Sequence, residues 1–151
     1  MRIKSFGLGS RKSRRAVAAA ELVVISPLLA TLVLGAVDFG RFAYYYIAVT
    51  NAARAGASYA IMNNYTSSTL TTWKNNVTQA AKDEMTQQVG SGNIGNLTVT
   101  VPTPTQDANG LRRVQVTASW PFTTIVNWQW TGLGLPHTMN LQRKVEMRLV
   151  R

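Results

Sequence analysis

The sequence contains no cysteine and a single histidine among its 151 residues. The first absence removes disulfides, thiol catalysis and cysteine metal sites. The second leaves His137 without companions, so neither a metal centre nor the usual nucleophile–base pairs are indicated. Acids are also scarce, six against 16 lysines and arginines. Only Asp83 and Glu84 are adjacent, and residues at i,i+1 on a helix do not face each other. No phosphate-binding loop is present, since "GLG" at Gly132–Gly134 lacks both the lysine and the strand–helix context. The sequence therefore indicates a non-enzymatic protein with no catalytic residue, no cofactor, no metal and no small-molecule substrate.

The formal charge of +10 would, taken alone, suggest a nucleic-acid partner. Its placement argues otherwise. Arg2, Lys4, Arg11, Lys12, Arg14 and Arg15 all precede residue 17, with no acid among them, and without these six the balance falls to +4. A basic tail that abuts an apolar helix reads as a topology signal retained in the cytoplasm, and no nucleic acid is expected as a partner.

Val17–Val37 is an apolar run broken by one charge, Glu21. About 20 such residues span a bilayer as a helix. A signal peptide would have a shorter apolar core and a small-x-small cleavage site, of which "LGA" at Leu34–Ala36 is a poor version. Asp38 and Arg41, neighbours at i,i+3, are placed to form a pair at the outer membrane edge. A carboxylate within a span costs several kcal/mol without a partner. Glu21 either reaches the headgroups or Arg14 and Arg15, or is kept for a cation on another subunit.

The flanks of Glu21 carry a family resemblance. "RRA", then "VAAA", then Glu21 is the basic–small–x4–Glu pattern at which prepilins are processed. "SPLL", "DFGRFAYYYIAVTNAARAGASYA" and a β-rich tail come after it. As a set over about Ala16–Ala60, these features resemble the TadE-like minor pilins, or pseudopilins, of tight-adherence (Flp-type) type IV pilus systems. Ala16 stands where the pattern commonly has Gly, and Leu22 where Flp-type sequences commonly have an aromatic residue. The resemblance implies a prepilin peptidase as partner, cutting between Ala16 and Val17 so that Glu21 becomes the fifth residue. It implies that Glu21 then pairs with the new α-amine of a neighbouring pilin. It further implies other pilins and pilus-assembly membrane proteins as partners, and roles in adhesion or secretion. The expected location is the inner (cytoplasmic) membrane, single-pass, with the C-terminal domain outside, or an extracellular pilus after assembly.

The three expected segments are a basic cytoplasmic leader 1–16, a long N-terminal helix 17–62 with its transmembrane part at 17–37, and an external globular domain 63–151. That helix would be about 70 Å long, with Pro27 kinking it or loosening a turn. Phe42, Tyr44, Tyr45 and Tyr46 suit an interfacial belt. Ala48, Ala52, Ala55, Gly56 and Ala60 permit close helix approach, to other pilins, to the protein's own domain, or to both on different faces. "NNYTSS" at Asn63–Ser68 breaks the pattern.

A second, amphipathic helix is expected over Leu70–Val89, with Trp73, Val77, Ala80, Ala81, Met85 and Val89 on one stripe. "GSGNIGN" reads as a linker. Strand signals appear at Leu97–Val101, at Val114–Trp120, and in the last segment around Met139, Leu141, Val145 and Met147, where Arg143 interrupts the apolar face. Pro102–Gly110 reads as a loop ending in turn-prone Asn109-Gly110. The expected fold is α+β: a pilin-like long helix, a second helix and a small antiparallel sheet of about three strands in meander order. The competing function is an uncleaved, single-pass membrane-anchored binding protein with an external domain.

Overall fold

A computed structural model describes residues 9–106, 110–132 and 134–148. The first half of the basic leader, including Arg2 and Lys4, lies outside the described residues, as does Asn109 of the expected turn. The chain divides into two compact units, Met1–Asp38 and Phe39–Arg151. Helix α1, Gly9–Met62, runs through the boundary and begins earlier than the apolar run alone suggests.

The second unit is an α+β domain. Its part of α1 presents Tyr45, Ala48, Val49, Ala52, Ala53, Gly56, Ala57 and Ala60 at spacings of three and four, one stripe of a 3.6-residue helix. The alanines of this stripe are fully buried, and Val49 nearly so. The small-residue segment thus packs against the protein's own domain, one of the two alternatives that its composition leaves open. Asn63 ends the helix, where its backbone N–H and side-chain Nδ2 both donate to the Tyr59 carbonyl, at 3.1 and 2.9 Å.

Helix α2 spans Leu70–Val89, as its apolar period requires, and buries Trp73, Val77, Ala81 and Met85. Ala80 and Val89 are half-buried at the flanks of that stripe. Trp73 fastens its start, donating from Nε1 to the Asn63 carbonyl at 2.8 Å and packing on Tyr65 with ring centroids 4.7 Å apart. Gly90 closes α2 at φ +83°, a left-handed angle that side-chain-bearing residues rarely adopt. The next segment, Ser91–Asn96, expected as a linker, is a 3₁₀-helix.

The sheet has four strands: β1 Thr98–Thr100, β2 Thr105–Gln106, β3 Arg112–Thr123 and β4 Thr138–Arg148. All pairings are antiparallel, and β3 is central. Because β4 pairs with β3 from Arg113 to Thr123 along one edge, β1 and β2 share the other. The three longer strands keep the expected meander order. The additional strand, β2, falls within the segment expected as a loop. Together β1 and β2 form one edge strand broken at Pro102 and Pro104, with the register slipping by one residue between the pieces. Proline supplies no ladder N–H, so the break falls where the chain cannot pair.

On β3, Val114, Val116, Ala118, Trp120 and Phe122 alternate inward and are buried, while their neighbours face outward. Their β4 partners are Met147, Val145, Arg143, Leu141 and Met139, respectively. Arg143, opposite Ala118, is the single charge in that inner file. Its guanidinium donates to the Tyr46 hydroxyl at 3.3 Å, which gives the charged group a polar partner at the rim. The small α1 stripe and the large β3 side chains are complementary: alanines let the helix approach, and Trp120, Phe122 and the valines fill the space.

Candidate functional site

The sequence places the site in the apolar part of α1. From Arg14 to Leu34 every residue is exposed within the chain, with Val23, Val24 and Leu28 at 69, 78 and 62 %. A helix that is apolar on all sides and uncovered by its own protein requires lipid or other helices around it. Among the described residues, α1 is the one helix long and apolar enough to cross a membrane, and it fits single-pass anchoring.

Ala16 and Val17 are both exposed in helical backbone, one turn before Glu21. Val17 and Glu21 lie at i,i+4 and so on one face. Glu21 is exposed and makes no hydrogen bond or ion pair with a described residue. Arg14 and Arg15, seven and six residues earlier, are exposed too. The carboxylate is thus presented outward from the apolar surface, available to groups outside this chain.

Pro27 is accommodated within α1. It has no N–H to donate to the carbonyl of Val23, four residues before it. The Ser26 hydroxyl donates to that carbonyl instead, at 3.1 Å. One turn later the Thr31 hydroxyl donates to the Pro27 carbonyl at 2.8 Å. In lipid, where no water competes, such side-chain donors replace a missing helical bond. Ser26 is the residue that sequence reasoning overlooked; a hydroxyl directly before a proline in an apolar run is the signal that could have found it.

Just past the C-terminal end of the apolar run, Asp38 is buried, 5 % exposed. The Arg41 guanidinium lies over the Phe122 ring, 5.5 Å from its centroid, and donates to the Thr123 carbonyl at 3.5 Å. Phe42 meets Phe122 edge-on at 5.8 Å, and Tyr45 stacks on Trp120 at 5.8 Å. The Tyr44 hydroxyl donates to the Gln88 carbonyl at the end of α2. Phe42 and Tyr45 therefore belong to the core as much as to any interfacial belt, whereas Phe39 remains 71 % exposed.

The His137 imidazole Nδ1 is 3.0 Å from the Thr124 hydroxyl. Asp83 and Glu84 diverge, each accepting from a glutamine on its own side, Gln79 and Gln88, at 2.7 Å. Among the described residues, no three His, Asp or Glu side chains converge as a metal site would require.

Comparison with known proteins returns the segment already singled out. No curated protein and no solved structure matches the chain. The family model of the TadE-like proteins matches residues 16–58, from the alanine before Val17 to the small-residue stripe, and over that segment the chain is similar to that family.

Proposed function

We propose that this chain is a non-enzymatic, pilin-like structural subunit of a tight-adherence (Flp-type) pilus or related secretion filament. A prepilin peptidase cuts between Ala16 and Val17. The span 17–37 holds the chain in the inner membrane, with residues 1–16 cytoplasmic and the α+β domain outside, and Asp38 and Arg41 mark the outer edge. Glu21 then pairs with the α-amine of a neighbouring subunit. In a low dielectric an unpaired charge is costly, and a paired one fixes the axial offset between helices.

The observation that carries this reading is the exposed, uncovered span with an outward Glu21, within the segment that matches the TadE-like model. The pilus association comes from that family. The assignment as a subunit comes from the location of Glu21. The continuity of α1 from Gly9 across residues 16 and 17 favours a second reading, the uncleaved membrane anchor, because a peptidase must first open that turn.

Cross-linking of membrane-extracted Glu21→Gln tests the assembly role, with Asp38→Asn as the control at the other end of the span. The variant should insert and fold, yet lose association with pilin partners. Assembly equal to the parent, in protein whose cleavage is established, would remove the charge role and leave headgroup contact as the better account of Glu21.

A further inference from the structure

The two edges of the sheet differ. The β1–β2 edge is broken at Pro102 and Pro104, with its register slipped, and offers another chain no continuous ladder. Strand β4 forms the other edge, and among the described residues no strand lies beyond it. Its 11 residues pair with β3 one to one, without bulge or proline, from Thr138 opposite Thr123 to Arg148 opposite Arg113. The same register continues to the Thr124 N–H, which donates to the His137 carbonyl at 3.0 Å. Antiparallel ladders alternate, so the odd β4 residues turn their backbone groups to β3 and the even ones turn theirs to the outer edge. Those even residues are Thr138, Asn140, Gln142, Lys144, Glu146 and Arg148, all exposed.

An edge of this length is a template for a further strand. Apolar surface accompanies it: Met139, Val145 and Met147 face inward yet are only half-buried, whereas their β3 partners Phe122, Val116 and Val114 are buried. Its charges restrict what can pair. Arg143 belongs to the inner file, and Lys144, Glu146 and Arg148 lie on the even file, where Glu146 already accepts from Arg113 at 3.1 Å. Charges on an edge prevent indiscriminate pairing. They also select a register, because opposite charges directly across a ladder stabilise it and like charges destabilise it. The strand complements itself about Val145. A two-fold axis there sets Lys144 of each copy opposite Glu146 of the other, Gln142 opposite Arg148, Arg143 opposite Met147, and Val145 opposite itself. Moved one residue either way, the axis sets Lys144 opposite Lys144 or Glu146 opposite Glu146. With the axis at Val145 the even residues form the hydrogen-bonded pairs, as their outward backbone groups require.

We propose that β4 pairs antiparallel with β4 of a second copy of this chain, about a two-fold axis at Val145. The occupant is a second copy because the charges of this edge complement its own sequence. The two sheets then run as one through both domains, and the half-exposed Val145 and Met147 side chains gain apolar neighbours across the axis. The inference concerns the α+β domain alone and stands apart from cleavage and from Glu21.

The test uses the full-length chain in detergent micelles. The absence of native cysteine lets single cysteines report the register. Residues opposite each other in a non-hydrogen-bonded pair have Cα atoms about 4.5 Å apart, within disulfide range, and diagonal neighbours lie about 7–8 Å apart, beyond it. Val145→Cys should form a covalent dimer under mild oxidation severalfold faster than Lys144→Cys, Glu146→Cys or Thr100→Cys, the last an exposed position on β1. Charge variants supply a second readout, by sedimentation. Lys144→Glu and Glu146→Lys should each weaken the dimer severalfold, and the double variant should restore it, since the pairing returns with its signs exchanged. Both residues are exposed, so each single variant should fold as the parent does. A monomer throughout, or a double variant no better than the singles, overturns the proposal. Faster cross-linking at 144 or 146 than at 145 overturns the axis at Val145. A dimer unchanged in all three charge variants assigns association to another surface and overturns the edge contact.

Discussion

The Ser26 hydroxyl donates to the Val23 carbonyl, and Val23 is the residue whose carbonyl Pro27 leaves without its helical donor. The proline is therefore tolerated because its neighbour supplies the missing bond. Ser26→Ala should leave that carbonyl unsatisfied in lipid. Hydrogen bonds in spans contribute about 0.6–2 kcal/mol, so amides of residues 28–31 in nanodiscs should exchange severalfold faster. The double variant with Pro27→Ala should return to parental exchange, since the helix then has its own donor. Equal protection in Ser26→Ala and parent would remove this role.

Gly56 is a point where α1, α2 and β3 meet. A Cβ there would meet Val116 Cγ1 at 3.2 Å, Ala81 Cβ at 3.3 Å and the Val77 carbonyl oxygen at 3.3 Å. Gly56→Val adds volume against two atoms fixed by the α2 backbone and a valine methyl buried on β3, and should destabilise the domain by about 1–3 kcal/mol. At Gly40, where nothing lies within 4 Å, alanine meets no obstacle. Gly40→Ala should be neutral or stabilising by up to about 1 kcal/mol through helix propensity. Denaturant unfolding of the full chain in detergent, followed by tryptophan fluorescence, separates the two; equal effects would contradict the close approach.

Trp120 is 5 % exposed, stacks on Tyr45 and pairs across the sheet with Leu141. Trp120→Ala should cost about 3–5 kcal/mol. An unchanged unfolding midpoint would mean that the ring is not the keystone of its core cluster.

Much of the fold was legible because period and burial coincide. The stripe Trp73, Val77, Ala81, Met85 gave α2 its bounds, and alternation from Val114 gave the inner face of β3. The misses have physical reasons. Strand β2 is two residues directly after Pro104, too short for any period to register. The strand signal at Val114–Trp120 stops short of Pro121, yet the β1 ladder ends at Ser119, so proline sits where one edge carries no β1 partner, and Phe122 continues the core. Gly90–Asn96 has turn composition, and a 3₁₀-helix uses the same residues. The alanine stripe was visible, but composition does not say whose surface it meets; only the packed domain assigns it. Glu21 was legible as an anomaly of charge in an apolar run. Ser26 was not, since its meaning depends on which carbonyl Pro27 orphans.

Processing is the central claim, and the mature N-terminus tests it most directly. Intact-mass measurement of membrane-extracted protein should give a chain that begins at Val17, and deletion of the prepilin peptidase should restore the basic leader. A chain that keeps its leader while the peptidase is active would contradict the account in favour of the permanent anchor. A start just after Ala36 would contradict both, because the span itself would have been removed.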